Sequence, residues 1–147
     1  MAGDLLYSGT VAAALEGAKM GYKSIALSAP VEADRETLVR VFLAILVQLD
    51  LKHDVRQTLN INVPALPWEE IRGVKWVSQG HAMWLGEYEE RTSPMGRRYF
   101  WSTHEDGYAL EPGDSDRSLL LEGYVTVTPL AYEMTDWEGF SKKEFAL

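Results

Sequence analysis

Tyr7-Ser8-Gly9-Thr10-Val11-Ala12-Ala13-Ala14-Leu15-Glu16-Gly17-Ala18 is the stretch from which the rest of the chain can be read. Ser8 is a good N-cap residue, and the small residues behind it predict a helix from about Thr10 to Met20, with Gly21 as its C′ residue. Val11, Ala14, Leu15 and Ala18 fall at i, i+3, i+4 and i+7, so a narrow, Ala-rich face is suited to close packing on a sheet. The first N–H groups of a helix have no partner inside it, and the helix dipole favours negative charge there. Ser8 and Thr10 with Gly9 between them are compatible with a phosphate at that point. An ordinary Ser N-cap facing water is the other reading, since S-G-T lacks the Gly-rich P-loop pattern.

Outward from that helix the chain keeps a regular rhythm. Lys23 to Ser28 reads as a short buried strand ended by Pro30, and Asp34 as the N-cap of a second helix reaching about Leu49. In that helix Leu38, Val39, Phe42, Ile45, Leu46 and Leu49 follow the helical period, with Arg35, Glu36, Arg40 and Gln48 opposite. Leu59-Asn60-Ile61-Asn62-Val63 alternates strictly before Pro64, as a strand does. Helix, strand, helix, strand is the order of an α/β sheet with crossover connections. On this reading residues 1–64 are the later half of such a sheet, entered abruptly after the short lead Met1 to Leu6.

From Pro64 the character changes. Gly73 to Gln79 is a candidate strand, and an aromatic, turn-rich stretch runs from Trp84 to Trp101. Ser93-Pro94-Met95-Gly96 is a turn signal, with Arg97 to Trp101 as the returning strand of a hairpin. Four of the five Trp residues lie between Trp68 and Trp101, which fits either a partner surface or rings folded back onto their own domain. A Gly- and acid-rich loop from Glu105 leads to a short helix, Asp116 to Leu121, and through Gly123 to a strand, Tyr124 to Thr128, that Pro129 ends. The tail from Asp136 to Leu147 is charged with scattered aromatics. The whole reads as a single domain, 1–147, in three parts: 1–64, 65–104 and 105–147.

A net charge of −8 argues against a nucleic-acid polymer as partner, which a basic patch would announce, but leaves single nucleotides open. There is no Cys for disulfides or thiolate metal sites. No signal-peptide pattern and no long apolar run occur, so the expectation is a cytoplasmic protein without a membrane partner. His53, His81 and His104 stand in no metal-binding spacing. Glu69-Glu70, Glu89-Glu90 and Asp114/Asp116 are expected to be solvated, Arg97-Arg98 to lie on a charged hairpin face, and the G-x-S-x-G elbow is missing.

Five ordered blocks carry a family resemblance. Tyr7 to Gly17 resembles the Y-S-G-T-V-x-A-A-x-E-G segment of the SurE survival-protein family. Ile25 to Ser28, Leu59 to Pro64, Pro94 to Trp101, and Ser115-Asp116 with Gly123 to Leu130 are similar to that family's later segments, in its order. The resemblance implies a metal-dependent phosphatase acting on nucleoside monophosphates, a 5′-nucleotidase. It also implies a three-layer α/β core with a projecting hairpin and a swapped C-terminal element, assembled as a homo-oligomer, dimer or tetramer. Ser8, Gly9 and Thr10 would bind the substrate phosphate. The family's divalent metal, Mg or Mn, is held by an Asp-Asp pair with a Ser and an Asn, all upstream of the Y-S-G-T segment. No position here is assigned to those ligands or to a catalytic role, and Asp4 is not counted as one. The expectation is the C-terminal portion of such an enzyme, inactive alone; a non-catalytic interaction or oligomerisation module, or an inactive truncated fragment, is the alternative. Base preference and 5′ against 3′ specificity stay open.

Overall fold

Strand β2 (Thr58–Asn62) is buried along its full length, and the rest of the sheet is laid on either side of it. The structure, a computed structural model, describes residues 2–53, 58–81, 87–103 and 113–137. Within them α1 is Gly9–Lys19, β1 Ser24–Ser28, α2 Arg35–Leu46, β3 Val74–Trp76, β4 Tyr88–Thr92, β5 Arg98–Ser102, α3 Asp116–Leu121 and β6 Val125–Leu130. Short 3-10 turns span Ala2–Tyr7 and Trp68–Glu70. The main sheet has the order β1-β2-β6-β3, while β4 and β5 form a separate hairpin. β1 and β2 are parallel and joined through α2, as the helix–strand rhythm requires; β6 lies between β2 and β3, antiparallel to β2 and parallel to β3.

The registers sort the sheet into two faces. Ile25 and Leu27 of β1, Leu59 and Ile61 of β2 and Val125 and Val127 of β6 lie on one face and form the main core with Val41 and Ile45 of α2. Ala26 lies on the other face, where it packs with Leu5 and with Val11 of α1. There Thr58 Oγ1 donates to Ala14 O at 3.3 Å. Gly17 permits this close approach, because a Cβ in its place would lie 2.7 Å from Ser24 Oγ. Helix, sheet, helix gives the expected three-layer α/β arrangement.

Caps explain where the helices start. Ser8 Oγ accepts from Val11 N at 3.3 Å, Asp34 Oδ2 from Thr37 N at 2.8 Å, and Ser115 forms a reciprocal capping box with Ser118. The Thr37 donors hold the Asp34 carboxyl below the usual carboxylate range. The second helix stops at Leu46, three residues short of the apolar period, because the chain turns back through Gln48 N to Ile45 O. Its buried stripe is Thr37, Val41 and Ile45, spaced i, i+4, i+8. Val39, expected inward, is 56% exposed, since two residues along a helix is about 200° around it.

The last strand also departs from expectation: β6 runs through Pro129 to Leu130. Val125 N donates to Gly73 O and Val127 O accepts from Val77 N, so the odd residues of β6 turn their backbone groups toward β3. Pairing with β3 ends at Trp76↔Val127, so the missing N–H of Pro129 faces an edge with no ladder bond to lose. The hairpin turns at Ser93–Gly96, with Gly96 N bonded to Ser93 O and Gly96 at φ +76, a conformation that favours glycine. Trp84, His104, the loop between Thr103 and Gly113, and the tail after Trp137 lie outside the described residues. Among those described, no helix is long and apolar enough to cross a membrane.

Ile61→Ala is expected to lower unfolding free energy by about 2–5 kcal/mol in urea titration, since the core cannot close the gap. Val39→Ala should stay within about 0.5 kcal/mol of the parent.

Candidate functional site

Two sequence-local features meet in space at the carboxyl ends of the parallel strands. After β1 the chain continues as Ala29-Pro30, and after β2 as Val63-Pro64, leaving a crevice where open α/β sheets bind ligands. The crevice has a volume of about 380 Å³, within the range of small-molecule sites. Ser28, Ala29 and Pro30 line it from the β1 side and Asn60, Asn62 and Val63 from β2. Leu5, Ser8 and Val11 close it from the 3-10 turn and the start of α1, and Leu120 from α3. None of these side chains is ionisable.

Of the three residues expected to bind phosphate, Ser8 is in the lining, half-buried, with its Oγ accepting from Val11 N. That leaves its O–H free to donate elsewhere. Gly9 and Thr10 are exposed in the first turn and do not contribute to the lining. Their N–H groups belong to the part of the helix that has no internal acceptors.

The Asn residues were not anticipated. Asn60 and Asn62 are 1% and 4% exposed, and the Nδ2 of each has no hydrogen-bond partner. Their neighbours across the antiparallel ladder, Thr128 and Thr126, are buried with unpartnered Oγ1 atoms as well. The strict alternation in Leu59 to Val63 fits a strand with one wet face. In a strand covered on both sides, however, polar residues are the anomaly, and that signal was available once the crossover was inferred.

Asp116, expected to be solvated, is fully buried. Its Oδ1 accepts from Gly80 N at 3.0 Å and its own N–H donates to Ser78 O, which fastens α3 to the segment after β3. Sequence adjacency to a Gly-rich loop hid this, because the partner lies 36 residues away. His53 is exposed and bonded to Asp50 at 2.6 Å, and His81 is exposed. Glu69, Glu70, Glu89 and Glu90 are exposed, Glu89 paired with Arg91 at 2.7 Å and Glu90 with Arg98 at 3.5 Å. Among the described residues no group of three or more His, Cys, Asp or Glu could hold a metal ion. With no carboxylate or imidazole in the crevice lining either, these residues do not fit a divalent-metal site.

The hairpin aromatics do not fold back. Every residue of β4 and every residue of β5 except Ser102 is exposed. Tyr88 and Phe100 lie on one face of it and Tyr99 and Trp101 on the other.

Sheet order, helix layers and a crevice at the strand ends define an α/β protein with an uncharged pocket beside a helix N-terminus. The family model for the survival protein SurE matches residues 1–86. The chain is 42% identical over 143 residues to the 5′-nucleotidase SurE of Nitratidesulfovibrio vulgaris, covering 95% of this chain and 57% of that one. It is 40% identical over 141 residues to the 5′-nucleotidase SurE of Petrotoga mobilis, covering 92% and 55%. The crystal structure of the SurE protein from Aquifex aeolicus superposes with a TM-score of 0.78 at 32% identity, over 94% of this chain and 57% of that one. The chain belongs to the SurE survival-protein family. It spans little more than half the length of these relatives.

Ser8→Ala is expected to cost about 0.5–2 kcal/mol of stability through loss of the cap, and Ser8→Gly only a few tenths, as thermal or urea melts would register.

Proposed function

We propose that this chain carries the phosphate-binding part of a SurE-type 5′-nucleotidase, a hydrolase that releases phosphate from nucleoside monophosphates. Ser8, Gly9 and Thr10 receive the phosphate. The observation that carries this reading is the start of α1 opening on the crevice at the carboxyl ends of β1 and β2. The names of the relatives support the substrate class. A cytoplasmic location, where such nucleotides are found, goes with it.

Hydrolysis of a phosphomonoester needs charge neutralised on the phosphoryl oxygens and a water activated in line with the leaving oxygen. A divalent metal such as Mg or Mn supplies both in metal-dependent phosphatases. What the residues of this chain do is narrower. The Ser8 hydroxyl and the first-turn amides orient the phosphate and stabilise charge on it. The apolar wall of Leu5, Val11, Val63 and Leu120 keeps bulk water from competing for those donors. With no ionisable group in the lining, nothing there takes a proton from water. Turnover therefore depends on groups beyond this lining, and we propose that the chain on its own releases no phosphate.

Inorganic phosphate titrated into the ¹⁵N-labelled chain should shift the Gly9 and Thr10 backbone amides saturably. Gly9→Asp should abolish that response while the fold persists, because a Cβ at Gly9 meets nothing within 4 Å and an acidic residue suits a helix start. Incubation with nucleoside monophosphates and Mg²⁺ or Mn²⁺ should release no phosphate; metal-dependent turnover would sink the claim of inactivity.

A second reading, that the chain is also an assembly module forming a dimer or tetramer, draws on the hairpin. A two-stranded hairpin with both faces wet is marginal by itself, and Tyr88, Phe100 and Trp101 are exposed on it. Sedimentation should find an oligomer, and Phe100→Glu with Trp101→Glu should move it toward monomer without changing the phosphate response.

A further inference from the structure

We infer that Asn60 and Asn62 form a second set of donors for the bound oxyanion, on the floor of the crevice and supplied by the strand instead of the helix. The inference rests on the reading of the crevice as a phosphate site and adds to it two residues that neither the sequence motif nor that reading uses.

The energetic anomaly comes first. Nδ2 of Asn60, Nδ2 of Asn62, Oγ1 of Thr126 and Oγ1 of Thr128 are all buried and all lack a hydrogen-bond partner. The register places them together on one sheet face, Asn60 opposite Thr128 and Asn62 opposite Thr126. A buried polar group left without a partner costs about 1–3 kcal/mol, so four at one place are a heavy charge on a small domain. Scattered defects would be a packing accident. Four adjacent ones, on a face where Asn60 and Asn62 both line the crevice, mark a surface with hydrogen bonds still to make.

The chemistry of those atoms selects the ligand. The two Asn Nδ2 groups offer only N–H bonds, and the Ser8 hydroxyl, whose oxygen already accepts from Val11 N, offers its O–H. No side chain in the lining is a carboxylate that would absorb these donors or repel an anion. The complement to such a surface is a group rich in acceptors and poor in donors, which describes a phosphoryl group. Its oxygens would be held from two sides, by the first turn of α1 and by the floor of β2.

The test uses the full ¹⁵N-labelled chain and inorganic phosphate, with the side-chain amide signals identified from the Asn60→Asp and Asn62→Asp spectra. The Nδ2–H signals of Asn60 and Asn62 should move saturably, with the same dissociation constant as the Gly9 and Thr10 backbone amides. Asn62→Asp, which replaces donors by a carboxylate of the same shape, should weaken phosphate by about tenfold or more, the value of one lost hydrogen bond to a charged group. If Gly9 and Thr10 move but the Asn side chains do not, the floor proposal is overturned and the phosphate site stands. If only the Asn signals move, the floor binds the anion and the role of the helix start is refuted. If nothing moves, both fail. Should Asn62→Asp unfold, which its amide dispersion reveals, the parent titration decides alone.

Discussion

Leu59 and Ile61 have no exposed surface at all, and neither do the Asn residues between and after them to any useful extent. That double burial of β2 is the constraint from which the rest of the molecule follows. A strand covered on both faces needs a helix layer on each side, so α2 and α1 must lie on opposite sides of the sheet. Its odd residues meet Val41 and Ile45 and behave as an ordinary apolar core. Its even residues are polar, and burying them is favourable only where something answers their hydrogen bonds. The crevice exists because α1 covers β1 and the near end of β2 closely, through Gly17 and Ala14, while the far ends of both strands are left open.

The start of α1 fits into that opening for local reasons. Ser8 stops the 3-10 turn of Ala2–Tyr7, its N–H bonded to Leu5 O, and caps the helix with its side chain. One residue therefore sets the direction of α1 and puts a hydroxyl in the crevice wall. Capping and binding are not alternatives here, because accepting from Val11 N uses the oxygen lone pairs and leaves the proton available. The relatives it matches are nearly twice as long, and the SurE structure superposes on 94% of this chain.

The far end of the sheet shows a different economy. β3 pairs with β6 over only three residues, and Pro129 sits on β6 where that pairing has ended. Asp116 ties α3 to Gly80 with a buried carboxylate, and Leu120 of the same helix lines the crevice. The hairpin strands are exposed throughout except at Ser102. Its ion pairs, Glu89–Arg91 and Glu90–Arg98, are exposed and worth little, so its aromatic faces are the part with binding energy to offer.

Local chemistry was legible in the chain alone. Ser8, Asp34 and Ser115 as caps, the turn at Ser93 to Gly96 and the crossover between β1 and β2 all follow from short-range rules, because a cap or turn is satisfied by atoms two to four residues away. What needed the tertiary structure involves partners distant in sequence. Val39 looked apolar enough to be inside, yet the position of the sheet chose Thr37, Val41 and Ile45 as the inner stripe. Asp116 looked solvated until Gly80 came to it, and Pro129 looked like a terminator until the edge beside it was found open. Asn60 and Asn62 carried the period of a half-wet strand, and only the second helix layer turned their alternation into a buried row of donors. Periodicity reports which residues share a face, whereas what covers that face is decided by segments the strand meets after folding.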